Sequence, residues 1–166
     1  MTLDDLMNIV IANTEPAIQD VRQLFREYAA SLSFTLCFQG FEEELASLPG
    51  KYASPHGKLL LAISEDGSAV GCVGLRPLDE DTAEIKRLYV CPACRRNGTG
   101  RKLMEVVLNE AKSIGYRRVR LDTVSSMVEA NRLYDSFGFR EITPYCENPL
   151  PGARFLEMQF EGGRIL

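Results

Sequence analysis

The chain has 166 residues, a formal charge of −4, and an ordinary globular balance of 45% hydrophobic and 25% charged residues. That length suits one domain, residues 1–166, able to bury about 70% of the surface its unfolded form exposes. No run of about 18 apolar residues is present to span a membrane, and the mild negative charge disfavours non-specific binding to nucleic acid or an anionic membrane surface.

At the start, Asp4 and Asp5 stand where a secretory leader needs basic and then apolar residues, so cytoplasm is the expected compartment. Asn8 to Ala12 is a short β-type run. Thr14-Glu15-Pro16 has the hydroxyl cap and first-turn proline of a helix start, and Ala17, Val21, Leu24, Phe25, Tyr28, Ala29 and Leu32 continue it as an apolar stripe. Ser33 to Gln39 reads as a connection, and Phe41 to Leu48 as a second short helix stopped at Pro49-Gly50. The loop Ser54-Pro55-His56-Gly57 holds the only histidine, which is expected to be exposed rather than catalytic.

Leu59 to Ile63 and Ala69 to Leu75 are strands joined by the turn Glu65-Asp66-Gly67; Gly71 and Gly74 suggest a bulge, a close backbone approach or small-residue packing. Leu78 to Asp81 turns the chain into a central strand, Glu84 to Val90, giving an antiparallel meander. Leu103, Val107, Ala111 and Ile114 recur at helical spacing and Gly115 closes that helix, while Arg118 to Val124 alternates as a strand. Central strand, helix and next strand form one βαβ unit, hence a local parallel pair. A helix from about Met127 puts Ala130, Leu133, Tyr134 and Phe137 on one side and stops at Gly138; Glu141 to Tyr145 and Phe155 to Phe160 read as closing strands around the loop Asn148 to Gly152. The order is β-α-α-β-β-β-α-β-α-β-β, a mixed α/β fold.

Between the central strand and its helix lies Arg95-Arg-Asn-Gly98-Thr-Gly100, flanked by Lys86, Arg87, Arg101 and Lys102. Glycines let backbone N–H groups approach a ligand, and the helix start adds unpaired N–H groups and the positive end of its dipole, a place for phosphate. A solvated basic face is the alternative for the cations. A P-loop is excluded because Arg95 occupies its first glycine position and Leu103 follows Arg101-Lys102; a dinucleotide fingerprint is excluded because Leu103 replaces its third glycine.

Arg95-x-x-Gly98-x-Gly100 after Glu84-Ile-Lys-Arg-Leu-Tyr-Val90 and Pro92 resembles the acetyl-CoA loop of the GCN5-related N-acetyltransferase (GNAT) superfamily. Ala130-Asn131-x-Leu133-Tyr134 with Phe137-Gly-Phe139 resembles its second acetyl-CoA motif. The resemblance covers most of the chain from Leu59 onward and implies the GNAT fold: a mostly antiparallel sheet with a splayed parallel strand pair, flanked by helices. It implies acetyl-CoA as acyl donor and no metal. Backbone groups of Leu88, Tyr89 and Val90 are expected to bond pantetheine, with an N–H near Leu88 polarising the thioester carbonyl. Backbone N–H groups from Arg96 through Asn97, Gly98, Thr99 and Gly100 to Arg101 are expected at the pyrophosphate, with Arg95, Arg96, Arg101 or Lys102 adding charge, and Asn131 reaching pantetheine. Tyr134 matches the general acid that protonates the leaving thiolate, and Glu84 a position where a carboxylate takes the amine's proton, often through water. The bland alternatives are a packed Tyr134 ring and a solvated or Lys86-paired Glu84; Glu27, Tyr28 and Asp122 are weaker acceptor contacts.

The expected partner is a small-molecule amine, amino-acid-like or cationic, or else a protein amino group; association into a homodimer follows from the resemblance alone. A catalytically silent acyl-CoA-binding module is the rival. Five cysteines, Cys37, Cys72, Cys91, Cys94 and Cys146, suggest reduced thiols, and Cys91-x-x-Cys94 lacks the second pair or histidines that would close a zinc site.

Overall fold

The apolar runs assemble into one seven-stranded sheet in the computed structural model, which describes residues 7–161. Its strands are β1 (Asn8–Ile11), β2 (Lys58–Ile63), β3 (Ala69–Pro77), β4 (Thr82–Val90), β5 (Arg118–Val124), β6 (Arg140–Glu141) and β7 (Ala153–Gln159), in the order β1-β2-β3-β4-β5-β7-β6. All neighbours are antiparallel except β4 and β5. The parallel pair needs a crossover, and α3 (Thr99–Ile114) supplies it. The remaining helices are α1 (Glu15–Ser31), α2 (Phe41–Ser47) and α4 (Val128–Phe137).

Each face of the sheet has its own core. Leu103, Met104, Val107 and Ala111 form one stripe of α3 and, with Tyr134 of α4, pack on Leu75, Ala83, Ile85 and Leu121. On the other face Val21, Leu24 and Phe25 of α1 and Leu45 of α2 cover Leu59, Leu61, Cys72 and Tyr89. Thr14 caps α1, its hydroxyl accepting from the Ala17 N–H, and Gly115 ends α3 at φ +114°, a left-handed turn that glycine takes without steric cost.

β4 changes phase part-way along. Cys72 faces Tyr89 and Gly74 faces Lys86, so Val73 opposes both Arg87 and Leu88. Arg87 absorbs this bulge at φ +62°. Before it, Ala83 and Ile85 point into the α3 core; after it, Leu88 and Val90 do, while Tyr89 faces α1. A one-residue slip exchanges the faces of a strand. Lys86, alternating with Ile85, and Arg87, in the bulge, sit beneath the α1–α2 side, and Arg95, Arg96, Arg101 and Lys102 remain near the glycine loop, so the basic stretch of sequence divides in space.

Arg87 is buried and held by Glu44, Nη2 to Oε1 at 2.8 Å and Nε to Oε2 at 3.0 Å, with Tyr52 donating to the same carboxylate at 3.0 Å. Gly74 makes room for that tyrosine: a Cβ there would lie 2.6 Å from Tyr52 Cε1. Gly71 likewise admits β4 and α3, since its Cβ would meet the Tyr89 carbonyl at 3.0 Å and Leu103 at 3.1 Å. Close packing is the task of both.

Several boundaries differ from the sequence reading. β4 and α3 each begin two residues early, at Thr82 and Thr99, because Asp79 and Asn97 cap their first residues. The strand expected over Glu141 to Tyr145 shrinks to Arg140–Glu141, after which the chain leaves the sheet and carries Tyr145 across to Glu84. Burial raises the Glu44 pKa, but the Arg87 and Tyr52 bonds outweigh it and hold the carboxyl below its usual 4.5. A lowered folded pKa means that stability is present above pH 4.5 and lost as pH falls through the folded value. Arg87→Met should cost about 3–5 kcal/mol in denaturant titration at pH 7, by leaving a buried carboxylate unpaired, and should flatten the acid limb of the stability profile.

Candidate active site

β4 and β5 pair only at Thr82↔Arg118, Ala83↔Val119 and Glu84↔Arg120. β5 stays with β7 along its whole length, from Arg118↔Gln159 to Val124↔Ala153, whereas the bulge at Arg87 turns β4 aside. The backbone of β4 beyond Glu84 therefore has a free edge facing a V-shaped opening. Two cavities fill it. The outer, about 450 Å³, is lined by Leu88, Tyr89, Val90, Arg95, Arg96 and Gly100 on one wall and Met127 to Ala130 and Leu133 of α4 on the other. The inner, about 40 Å³, is lined by Gln39, Lys86, Asp122, Met127 and Tyr134 among others, and shares Tyr28, Leu88 and Met127 with the first.

At the outer end, the glycine loop forms an anion cradle. Arg96 at φ +69° and Gly98 at φ +88° both take the left-handed conformation and turn the chain sharply into α3. Asn97 Oδ1 accepts from the Thr99 hydroxyl at 2.6 Å and its N–H at 3.3 Å, pinning the start of α3. The N–H groups of Arg96, Asn97, Gly98, Gly100 and Arg101 find no acceptor among the described residues. Arg95 folds back, its Nε donating to the Val90 carbonyl at 2.8 Å and its guanidinium lying over the Tyr89 ring. Arg96 spans the mouth to Glu129 at 3.5 Å, in a fully solvated pair.

Other residues expected at the cofactor have different occupations. Arg101 donates to Ser136 at 2.8 Å and lies over Phe137, and Lys102 donates to the Met7 carbonyl at 2.9 Å. The Asn131 amide is committed to the Val124 and Met127 carbonyls, 2.9 and 2.7 Å, and accepts from Arg154 at 2.8 Å. It pins the start of α4 to the end of β5 and so fixes the far wall of the opening.

At the inner end Tyr134 lines the small cavity, its ring edge-on to Phe139 and its hydroxyl free of hydrogen bonds to described residues. Burial, with lesser contributions from Tyr28 and Asp122, raises its pKa well above the ordinary phenol value, so the hydroxyl keeps its proton at neutral pH. Glu84 is 2% exposed, not a solvated strand-edge residue. It pairs with Arg76 rather than Lys86, accepting from Arg76 Nε at 2.8 Å and from the Tyr145 hydroxyl at 2.7 Å, and it lines neither cavity. Asp122 is the carboxylate facing the inner cavity: Lys86 Nζ lies 3.4 Å from Oδ1, and Asn148 donates to Oδ2 at 3.0 Å.

Gln39, Tyr145 and Asn148 were not legible as site residues, because each arrives from a segment distant in sequence, and Arg76 because its meeting with Glu84 depends on the exact β3–β4 register. The one local signal was the proline-rich run from Pro144 to Pro151, which cannot continue a strand and must loop over something. All five cysteines are free, and His56 is exposed at the opposite end of β3, the Tyr116 hydroxyl donating to its carbonyl. Burial and Glu27 raise the Cys91 thiol, the reverse of a reactive thiolate. Burial and the neighbouring Asp122 and Glu84 carboxylates push the Cys146 thiol up to about 11.

A family model described as the acetyltransferase (GNAT) family matches residues 18–139, which takes in the whole opening, cradle and α4 wall. The chain belongs to the GNAT family. Among GNAT relatives, an uncharacterized N-acetyltransferase of Schizosaccharomyces pombe is 36% identical over 143 residues, 86% of this chain and 88% of that one. Human N-acetylaspartate synthetase is 34% identical over 110 residues, 66% of this chain but 36% of the relative, so the likeness spans little over a third of that enzyme. A GNAT acetyltransferase from Staphylococcus aureus has the same fold, with a TM-score of 0.75 at 23% identity over 92% of this chain and 98% of that one. YncA of Salmonella typhimurium, solved with its cofactor acetyl-CoA, superposes with a TM-score of 0.68 at 20% identity over 93% and 94% of the two chains. The seven-stranded mixed sheet with one parallel pair is thus the GNAT sheet, and the chain is an acyltransferase of N-acetyltransferase type. No helix among the described residues is long and apolar enough to cross a membrane.

Tyr145→Phe removes a short charge-assisted bond to Glu84 and should lower unfolding free energy by about 1.5–3 kcal/mol. Chemical denaturation followed by tyrosine fluorescence and circular dichroism measures it, and an unchanged midpoint would mean that the loop is not clamped to β4.

Proposed function

We propose that the chain transfers the acetyl group of acetyl-CoA to the amino group of a small amine or amino-acid-like acceptor. The observation that carries this reading is the continuous opening along the free edge of β4, with the N–H cradle at its outer end and Tyr134 and Asp122 at its inner end. Pyrophosphate at the cradle and an extended pantetheine along Leu88 to Val90 put the thioester between the outer and inner cavities. The binding of acetyl-CoA by the similarly folded YncA supports the donor, and the name of the N-acetylaspartate synthetases supports an amino-acid-like acceptor.

In the proposed reaction the neutral amine attacks the thioester carbonyl carbon. The N–C bond forms, the C–S bond breaks, nitrogen gives up a proton, and sulfur leaves as a thiolate that takes a proton from Tyr134. The products are the acetylated acceptor and CoA. A backbone N–H near Leu88 aimed at the carbonyl oxygen contributes to stabilising the oxyanion, an effect worth about 3–4 kcal/mol in such sites. Glu84 is the proposed destination of the amine's proton. Its oxygens face Arg76 and Tyr145, so the transfer runs through water rather than by direct contact. The same saturation of Glu84 favours the second reading, a silent acyl-CoA binder.

Calorimetric titration with acetyl-CoA should show binding to the native chain and none to a folded Gly98→Pro variant. Absence of binding by the native chain would sink the reading. Tyr134→Phe should lower kcat by about 10²-fold or more while acetyl-CoA still binds; unchanged turnover would remove Tyr134 as the acid, and no CoA release with any amine would favour the silent binder. Glu84→Gln should reduce kcat/KM most near pH 7 and recover as pH approaches about 10.4, where an alkylamine deprotonates unaided. A loss independent of pH would make Glu84 a structural partner of Arg76 alone.

A further inference from the structure

The inner cavity is walled by two buried, opposite charges that hold each other poorly. Lys86 and Asp122 have side chains 7% and 4% exposed, yet Nζ and Oδ1 are 3.4 Å apart, long for a charge-assisted bond. The other partner of Lys86 is the neutral Gln39 Oε1 at 3.1 Å, which leaves a third ammonium proton unassigned. Asp122 has Asn148 on Oδ2, and its Oδ1 has only the long contact to Lys86.

The other charges around this point are already matched. Arg87 is gripped on two nitrogens by Glu44, and Glu84 by Arg76. Lys86, Arg87 and Asp122 are the charges that line the cavity, and with Glu44 behind Arg87 and the Arg76–Glu84 pair alongside, the charges around it come to three cations against three anions. A solute entering with a bare ammonium adds unbalanced positive charge to a buried neutral site, and one entering with a bare carboxylate adds the reverse; both carry the cost of a buried, unpaired charge. A solute carrying both signs on adjacent atoms adds none. The cavity, about 40 Å³, holds about three waters by volume, the scale of one such headgroup.

We propose that the acceptor is a free α-amino acid whose zwitterion bridges the Lys86–Asp122 pair, its ammonium on Asp122 Oδ1 and its carboxylate on Lys86 Nζ, with the side chain left outside this contact. This deepens the acetyltransferase reading and rests on it. The assignment places the amino group on the Asp122 and Tyr134 side of the cavity, next to Leu88, where the two cavities meet. It also gives Lys86 and Gln39 the part of selecting acceptors by carboxylate. A protein amino terminus, whose adjacent carboxyl is an amide, is rejected by the same rule.

The test compares each amino acid with its α-amide and with the amine left by decarboxylation. On the CoA-loaded protein, saturation-transfer NMR should detect the amino acids and not their amides or amines. In acetyl-CoA-dependent CoA release, kcat/KM should favour the amino acid by about 100-fold, and Lys86→Met should collapse that ratio to below about tenfold with the fold intact by circular dichroism. Amides or amines that bind and react as well as their parent acids would overturn the proposal, as would a ratio unmoved by Lys86→Met. If that variant does not fold, the ratio in the native chain and the NMR comparison decide alone. Acetyl-CoA binding without any preference for the zwitterion overturns this assignment and leaves the acetyltransferase reading standing; no acetyl-CoA binding overturns both.

Discussion

Beyond Glu84 the β4 backbone has no neighbour on its β5 side, and every feature of the site follows from that gap. A sheet interior normally satisfies each strand on both edges, since an unpaired backbone group shut away from water costs free energy. Here the edge is tolerated because the opening connects with solvent and is the size of a ligand. The cause is local: an extra residue on β4 opposite Val73, taken up by a left-handed Arg87. Arg87 can hold a conformation unusual for a side-chain-bearing residue because Glu44, Gln39 and the Phe41 ring fix its guanidinium on every side. Strain at this point is supported by the buried ion pair.

The same bulge sorts the charge. In sequence, Lys86 and Arg87 look continuous with the cations of the glycine loop. In space they lie at opposite ends of the opening. The cradle end relies on backbone N–H groups and the start of α3, with Arg95 turned inward onto Val90 and Arg96 left as the exposed cation at the rim, paired with Glu129. The inner end relies on side chains: Lys86, Arg87 and Asp122 line it, and counting Glu44 and the adjoining Arg76–Glu84 pair the surrounding charges cancel. One end is suited to a polyanion in contact with solvent, the other to a small solute stripped of water. Two contrasting electrostatic environments along one strand are what a group-transfer site between a large anionic donor and a compact acceptor requires.

The loop between β6 and β7 completes the arrangement. Tyr145 reaches Glu84 and Asn148 reaches Asp122, so the loop rests on both diverging strands at the level where their pairing ends. Arg120 over the Tyr145 ring and the edge-on contact of Tyr145 with Phe155 hold it there. It acts as a strap that limits how far β4 and β5 separate, and its short bonds account for the poor access to Glu84.

The periodicity of α3 and α4, the glycine loop after a strand, and the parallel pair implied by a strand-helix-strand unit were all legible in the residues, because each is a local consequence of spacing, capping or chirality. The GNAT motifs carried the cradle and Tyr134 for the same reason: they are contiguous. What the residues could not disclose was anything fixed by contacts between distant segments. Glu84 read as a candidate base, with a solvated or Lys86-paired carboxylate as the alternative, yet Arg76 on the neighbouring strand and Tyr145, 61 positions away, occupy it. Asn131 sits in its motif, but its amide bonds the ends of β5 and the entry to α4. The fate of Arg87 and of every later β4 side chain turned on a single added residue, which simple alternation along the strand does not anticipate. Local chemistry determined the elements and the glycine loop; the pairing of β4 with β3, and the bulge it contains, decided which side chains line the inner cavity.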